Sequence, residues 1–251
     1  MWNFFKSVFT GQDHIEEGKP CQDYAEYTIT ENGIYVAALA DGASGAYFSD
    51  IAASCNVNSV LNLFHKLDFN SLFTGDEKLL KQSIINACLS AIFDNVKRIN
   101  SSSPADFAAT LLFLVSDGER ALIGHLGDGV ICAINNDQNV EIISYPSNIN
   151  NECNRTIFTV SNKSEDYLNL YHIENINNYL AFLMMSDGPE TSFYDYTLKQ
   201  MRKRNLLTIV TDIGKERARE LELTYFLKSN FWKYGITGDD CSMVIFAKEL
   251  D

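Results

Sequence analysis

Aspartates stand at the ends of four short apolar segments of this 251-residue chain. Asp41-Gly42, Asp128-Gly129 and Asp187-Gly188 each follow such a segment, and Asp239-Asp240 precedes the last one. Short apolar runs are typical of buried strands, whose ends hold a side chain at the rim of a core. Two carboxylates about 4 Å apart repel by roughly 4 kcal/mol at an effective dielectric of 20, so a convergent set requires a cation. Oxygen ligands favour Mg²⁺ or Mn²⁺ over zinc.

An ordinary turn is the competing interpretation, because Asp-Gly is also a common turn dipeptide. Asp117-Gly118 lies between two predicted strands and is interpreted as a hairpin turn. His125 lies on a predicted strand close to Asp128, where a structural histidine and a proton donor are both possible. Spacing alone therefore leaves turns and metal ligands open for the other Asp-Gly pairs.

The elements that must position these residues follow from the hydrophobic periodicity. Apolar runs predict strands at 1–9, 24–30, 34–40, 109–115, 120–125, 130–134, 140–145, 168–173, 179–185 and 242–248. Helical spacing predicts helices at 49–67, 76–100, 190–207 and 215–228, with Ser49 or Asp50 capping the first. The strands between 109 and 145 are expected to form one meander.

The order of these elements predicts the class of the fold. Hairpin-linked strands with grouped helices favour an α+β fold, in which antiparallel sheets are covered by helices. No internal repeat or linker interrupts the sequence, so one domain over 1–251 is expected. The polar segment 146–165 is long for a connection inside a domain and is expected to be a functional flap.

Composition argues against several classes of partner. A net charge of −13 and a pI of about 4.7 disfavour nucleic acid and anionic membranes, which require a basic face. No apolar run reaches the roughly 18 residues of a membrane span, and the N-terminal segment lacks the features of a secretory signal. The six cysteines are far apart, so reduced thiols and a cytoplasmic location are expected.

Six short motifs occur in a fixed order along the chain. They are Cys21-Gln22-Asp23, Ala40-Asp41-Gly42, Ala109-Thr110, Gly127-Asp128-Gly129, Ser186-Asp187-Gly188 and Asp239-Asp240-Cys241-Ser242. This ordered set resembles the metal-dependent protein phosphatases of type 2C, which act on phosphoserine and phosphothreonine. The resemblance spans residues from about 10 to 247 and is closest to the bacterial-style branch.

The resemblance implies a four-layer α-β-β-α sandwich of two antiparallel sheets flanked by helices. It implies two Mn²⁺ or Mg²⁺ ions, with Asp41 bridging them and the Gly42 carbonyl on one of them. Asp187 and Asp239 would complete the shell of the other ion, and Asp128 with Asp187 would hold a possible third. Asp239 is preferred to Asp240 because it stands three residues before Ser242, as the motif of the family requires.

The resemblance also implies a mechanism, in which a hydroxide bridging the metals attacks phosphorus in line. Asp23 would hold metal-bound waters. Gly18 stands where the family has a phosphate-binding arginine, so His14 or Lys19 is expected to replace it. Asn154, Arg155 and Thr156 of the flap are candidates for substrate contact.

The expected substrate is a phosphorylated protein, and the expected oligomeric state is a monomer. Two alternatives remain open at the level of sequence. One is a non-catalytic phosphoprotein-binding or regulatory module with the same fold. The other is a phosphoesterase that acts on small molecules.

Overall fold

Two five-stranded antiparallel sheets form the centre of the computed structural model, which describes residues 1–100, 103–146, 156–215, 223–225, 227–228 and 238–249. The first sheet has the order β1 (Trp2–Phe9), β12 (Cys241–Lys248), β9 (Tyr179–Met185), β6 (Val130–Asn135) and β7 (Val140–Ser144). The second has the order β2 (Tyr24–Ile29), β3 (Tyr35–Ala40), β4 (Leu111–Ser116), β5 (Ala121–Leu126) and β8 (Asn169–Ile173).

Helices cover the outer face of each sheet. Helices α2 (Ser49–Phe64) and α4 (Glu77–Ile99) pack on the second sheet, where the tilted rings of Phe64 and Phe113 of β4 lie 5.3 Å apart. Helix α7 (Lys203–Lys215) packs on the first sheet through apolar residues such as Leu206. The α-β-β-α sandwich predicted from the sequence is confirmed.

A third apolar layer joins the two sheets. Phe4 and Phe246 of the first sheet lie with ring centroids 4.6 Å apart, and Tyr35 of the second sheet lies 5.3 Å from Phe246. Burial of aromatic rings is the largest apolar contribution per side chain, so this layer holds the sheets face to face. The ends of their strands therefore meet at the same rim.

The shorter elements connect this frame. They are α1 (Gln12–Glu17), α3 (Ser71–Thr74), a 3-10 turn (Pro104–Phe107), α5 (Ser164–Tyr167), a 3-10 turn (Ile176–Asn178), α6 (Asp187–Phe193), β10 (Tyr194–Asp195) and β11 (Gln200–Met201). Strands β10 and β11 form a separate antiparallel hairpin. Among the described residues, no helix is both long enough and apolar enough to cross a membrane.

The meander expected between 109 and 145 is wrong in its connectivity. Strands β4 and β5 form a hairpin in the second sheet, whereas β6 and β7 form a hairpin in the first. The chain changes sheets at Gly127-Asp128-Gly129, where Gly127 has a φ of 127° that side chains rarely adopt. This crossover carries Asp128 to the rim between the two sheets.

The helix expected at 190–207 is interrupted. Helix α6 ends at Phe193, the β10–β11 hairpin follows, and α7 starts only at Lys203. The Asp195 carboxylate accepts hydrogen bonds from the amides of Thr197 and Leu198 at 3.0 and 2.9 Å, which competes with helical bonding.

Several smaller predictions have definite outcomes. Residue Phe48, without a side-chain cap, precedes α2, so the cap expected from Ser49 or Asp50 is wrong. Helix α4 begins as predicted at Asp76, whose Oδ1 accepts from the Lys78 and Leu79 amides. Most of the helix expected at 215–228 lies outside the described residues. The cysteines that the structure describes, all but Cys153, are free thiols.

Candidate metal centre

Three carboxylates meet at the rim between the sheets. Asp41 follows β3, Asp128 lies in the crossover between β5 and β6, and Asp187 opens α6 directly after β9. One carboxylate oxygen from each lies within 4.8 Å of the others. Asp239, which precedes β12, lines the same cavity of about 170 Å³. The structure thus brings together residues from across the whole length of the chain.

Hydrogen bonds tie the strand ends to one another. Thr110 accepts a bond from the Asp41 amide through its Oγ1 at 2.9 Å, and its own amide donates to the Asp41 carbonyl at 2.8 Å. In the first sheet, the Ser186 amide donates to the Ser242 carbonyl at 3.1 Å, and the Ser242 amide donates to Ser186 Oγ at 3.1 Å. Each sheet therefore locks one aspartate-bearing strand end to a neighbouring segment.

Glycines follow these aspartates because the converging backbones leave no room for a side chain. A Cβ added to Gly42 would lie 2.8 Å from the Gln22 carbonyl oxygen, and one added to Gly188 would overlap the Asp240 carbonyl. Gly118 differs, because it has a φ of 89° and an open surrounding. The turn predicted at Asp117-Gly118 is confirmed as the β4–β5 hairpin. The other Asp-Gly pairs differ from it because neighbouring backbone atoms lie too close to their glycines for a Cβ.

The cluster is electrostatically unfavourable without a cation. Burial raises the pKa of Asp41 well above its ordinary value, and the charges of Asp23, Asp187 and Asp128 raise it further. Burial likewise raises the pKa of Asp187 to about 6, with the charges of Asp128 and Asp239 acting in the same direction. Among the described residues that line the cavity, none is basic. An all-oxygen donor set of like charge fits hard divalent ions and does not fit zinc.

Asp23 lies fully buried beside the cluster and does not line the cavity. Its Oδ2 accepts a hydrogen bond from Ser186 Oγ at 2.7 Å. Burial raises the pKa of Asp23 to about 7, although the hydroxyls of Ser242 and Ser186 oppose the shift. Through Ser186, the neighbour of Asp187 in the chain, Asp23 contacts the strand end that carries a cluster carboxylate.

Asp240 holds the segments around the cavity together instead of facing it. Its carboxylate accepts from the Gly11 amide at 2.7 Å and from the Gln22 amide at 2.5 Å. His14 Nδ1 lies 2.9 Å from Asp240 Oδ2, and both side chains are buried. This arrangement leaves Asp239, and not Asp240, at the cavity.

The two candidates for the missing phosphate-binding cation lie away from the cavity lining. His14 contacts Asp240 as described, and the Lys19 Nζ pairs with Glu17 at 2.6 Å on the surface. The loop after Asp41 offers other donors: Ser44 and Gly45 are exposed, line the cavity, and have backbone amides without a hydrogen-bond partner among the described residues.

Two residues near the cluster have contacts that the sequence did not indicate. Thr156, considered above only for substrate contact, lines the cavity and donates a short hydrogen bond to Asp128; Asn154 and Arg155 lie outside the described residues. Glu190 on α6 is fully buried and accepts a short hydrogen bond from Tyr196. Its spacing of three residues from Asp187, one helical turn, is the signal that could have identified it.

Comparisons with known proteins identify the family and the fold. A family model described as protein phosphatase 2C matches residues 10–228. No curated protein matches the chain. A crystal structure of a bacterial serine phosphatase is 17% identical with a TM-score of 0.72, covering 100% of this chain and 99% of that one.

Two further solved structures are similar over nearly their whole length. The serine/threonine phosphatase Stp1 from Staphylococcus aureus is 16% identical with a TM-score of 0.69, covering 100% of this chain and 96% of that one. The catalytic domain of the serine/threonine protein phosphatase PstP, solved in complex with two manganese ions, is 17% identical with a TM-score of 0.65, covering 98% and 97%. At such low identities these likenesses establish the shared fold.

Proposed function

The chain belongs to the protein phosphatase 2C family, and from this premise we propose that it hydrolyses phosphoserine and phosphothreonine in proteins with two bound manganese or magnesium ions. The observation that carries the proposal is the cluster of Asp41, Asp128 and Asp187 oxygens within 4.8 Å, without a basic residue in the described cavity lining. Such a cluster of buried carboxylates is costly when ionised unless a cation compensates the charge.

The ligand assignment follows the position of each group. The charges of Asp23, Asp187 and Asp128 all act on Asp41, which would be the ligand shared by two ions, and the Gly42 carbonyl would be a ligand of one of them. Asp187 and Asp239 are proposed for the other ion, and Asp128 with Asp187 for a possible third. When bound, the ions lower the pKa of water to supply the nucleophile and neutralise the charge of the phosphoryl oxygens.

The remaining side chains orient this set. Asp23 accepts from Ser186 and so restrains the strand end before Asp187, and its second oxygen is free among the described residues for a water at the site. His14 is proposed to act through Asp240, the neighbour of Asp239, whose carboxylate accepts from the Gly11 and Gln22 amides. Thr156 fixes one carboxylate oxygen of Asp128.

Phosphate binding without an arginine requires other donors. Ser44 and Gly45 line the cavity beside Asp41, and their backbone amides have no hydrogen-bond partner among the described residues. Successive backbone amides form concave sites for anions, so this loop is proposed to bind phosphoryl oxygens that the metals leave free. The phosphate contact expected of Lys19 is not part of this proposal, because its Nζ pairs with Glu17 away from the cavity lining. The monomeric state and the cytoplasmic location stay predictions.

The test is release of phosphate from a phosphoserine peptide by purified, metal-stripped protein after addition of manganese. The wild-type protein should turn over, and Asp41→Asn should lose at least about 100-fold in kcat/KM because it loses the shared ligand. Asp117→Asn, which changes the Asp-Gly pair of the β4–β5 hairpin turn, is the matched control, and its kcat/KM should stay within about threefold of the wild-type value.

The same assay separates the remaining interpretations. A set of small phosphate monoesters at equal concentration measures whether the peptide is the preferred substrate. No turnover of any phosphate by a protein that binds manganese would refute the proposed reaction, and preference for a small ester would refute the protein substrate.

A further inference from the structure

Glu190 is a buried carboxyl with only half of its hydrogen-bonding capacity used. It lies on α6 one turn after Asp187, and its relative exposure is 0%. Oε1 accepts a short bond from the Tyr196 hydroxyl, whereas Oε2 has no partner among the described residues. A buried carboxylate oxygen without a donor is unfavourable, so a missing partner is expected at this position.

The charges around Glu190 show what kind of partner is missing. Asp187 and Asp128 are the charged groups that act on it, and both raise its pKa in addition to burial, the main cause. The pKa of this carboxyl reaches about 8, and no basic side chain of the described residues contributes an opposing effect. Glu190 therefore lies within electrostatic reach of two proposed ligands and lacks a positive neighbour.

We propose that Glu190 is an additional acidic group beside the cation site, one helical turn from Asp187 and behind the cavity lining, and that it strengthens binding of the ion proposed for Asp128 and Asp187. The inference rests on the proposed function, because it requires that this cluster binds divalent ions. It extends the site beyond the six motifs, none of which includes Glu190.

Tyr196 is the positioning residue in this arrangement. Its hydroxyl binds Glu190 from the β10–β11 hairpin, and its ring lies 4.9 Å from the Tyr194 ring at an angle of 84°. Tyr194 is itself buried, so the hairpin is anchored next to α6. The hydrogen bond selects which oxygen of Glu190 stays free.

The test is calorimetric titration of metal-stripped protein with manganese chloride alone. Removing a group that supports a metal site typically costs 10–100-fold in affinity, so Glu190→Gln should weaken at least one manganese-binding step by about tenfold or more. Tyr196→Phe should weaken the same step by a smaller factor. Asp195→Asn is the matched control, since its Oδ1 can still accept from the Thr197 and Leu198 amides and the Glu190 contact is unchanged, so its isotherm should equal that of the wild type.

Stability distinguishes a site effect from misfolding. In EDTA, Glu190→Gln should unfold at the same or a higher temperature than the wild type, because the amide replaces an unfavourable buried acid. Wild-type isotherms for both Glu190→Gln and Tyr196→Phe would overturn the inference and leave the proposed function standing. Absence of manganese binding by the wild-type protein would overturn both.

Discussion

Replacing Asp187 by asparagine should stabilise the metal-free protein, which is the reverse of what most buried substitutions do. Burial and the neighbouring carboxylates raise the pKa of Asp187 to about 6, from an ordinary value of 3.8. Because folding raises this pKa, the full stability of the folded state is present below pH 3.8, where the carboxyl is protonated in both states. That stability is lost as the pH rises through about 6, where the carboxyl ionises in the folded protein as well. Asparagine is nearly isosteric and never ionises, so it avoids this loss.

The magnitude follows from the pKa difference. A change from 3.8 to about 6 corresponds to ~3 kcal/mol at pH 8, where the carboxyl is ionised in both states. At pH 5 the ionisation of Asp187 costs the folded state roughly half of this free energy, and below pH 3.8 it costs nothing. For a chain of this size ~3 kcal/mol corresponds to about 6–12 °C in Tm.

The assay is urea unfolding in EDTA at pH 8, 6.5 and 5, followed by the same series with saturating manganese. Metal binding stabilises the folded state by about 2.7 kcal/mol at 100 times Kd. The wild-type protein should gain this stabilisation and the variant should lose most of it. The advantage of the variant in EDTA, ~3 kcal/mol at pH 8, should therefore largely disappear when manganese is added.

Asp117→Asn supplies the control with the opposite sign. Burial alone would raise the pKa of Asp117, but hydrogen bonds from the amides of Arg120 and Glu119 and from the Arg120 guanidinium lower it. Replacing the Asp117 carboxylate should destabilise the folded protein at pH 8, and it should not change the stabilisation that manganese provides. If Asp187→Asn is no more stable than the wild type at pH 8 in EDTA, or if its advantage is the same at pH 5, burial and carboxylate repulsion do not destabilise the ionised Asp187.

Three other substitutions test separate parts of the structure. Gly188→Ala should weaken manganese binding at least about tenfold in calorimetry, because its Cβ would overlap the Asp240 carbonyl, whereas Gly45→Ala, with open space around it, should not. Lys19→Ala should leave kcat/KM on a phosphopeptide within about threefold, because the Nζ of Lys19 pairs with Glu17 away from the cavity. A marked rise in KM would instead establish a contact between Lys19 and the phosphate. Burial lowers the pKa of His125 to about 4, so the wild-type protein loses stability as the pH falls below 6.5. His125→Asn lacks this loss, so in urea unfolding its stability relative to the wild type should rise by ~2 kcal/mol from pH 8 to pH 5.

The strands that carry the site could be predicted because their apolar runs are continuous. Strands β3, β5, β6 and β9 are buried almost throughout, and such runs identify themselves by composition. Asp41, Asp128 and Asp187 at their ends were therefore placed correctly at element boundaries. Antiparallel sheets covered by helices also follow from the order of elements, whereas the four-layer α-β-β-α arrangement is what the resemblance to the family implies.

The assignment of strands to sheets could not be predicted in the same way. A hairpin and a crossover between sheets look alike in sequence when both connections contain Asp-Gly. The difference lies in tertiary hydrogen bonds, since β6 pairs with β9, about 50 positions further along, and not with β5. The β10–β11 hairpin was missed for a related reason, because one side chain, Asp195, overrides the helical periodicity.

The roles of individual aspartates depend on whether nearby donors satisfy them. Asp117 receives backbone amides and an arginine within its own turn, so its charge is compensated locally. Asp41 and Asp187 face each other and Asp128, and the described lining offers them no basic residue. The same dipeptide is thus a turn where donors are local and a candidate cation ligand where strand ends converge. Packing of the apolar layers brings the strand ends together and offsets the repulsion among the carboxylates there. A large sandwich core and an electrostatically unfavourable acidic rim therefore occur in one fold.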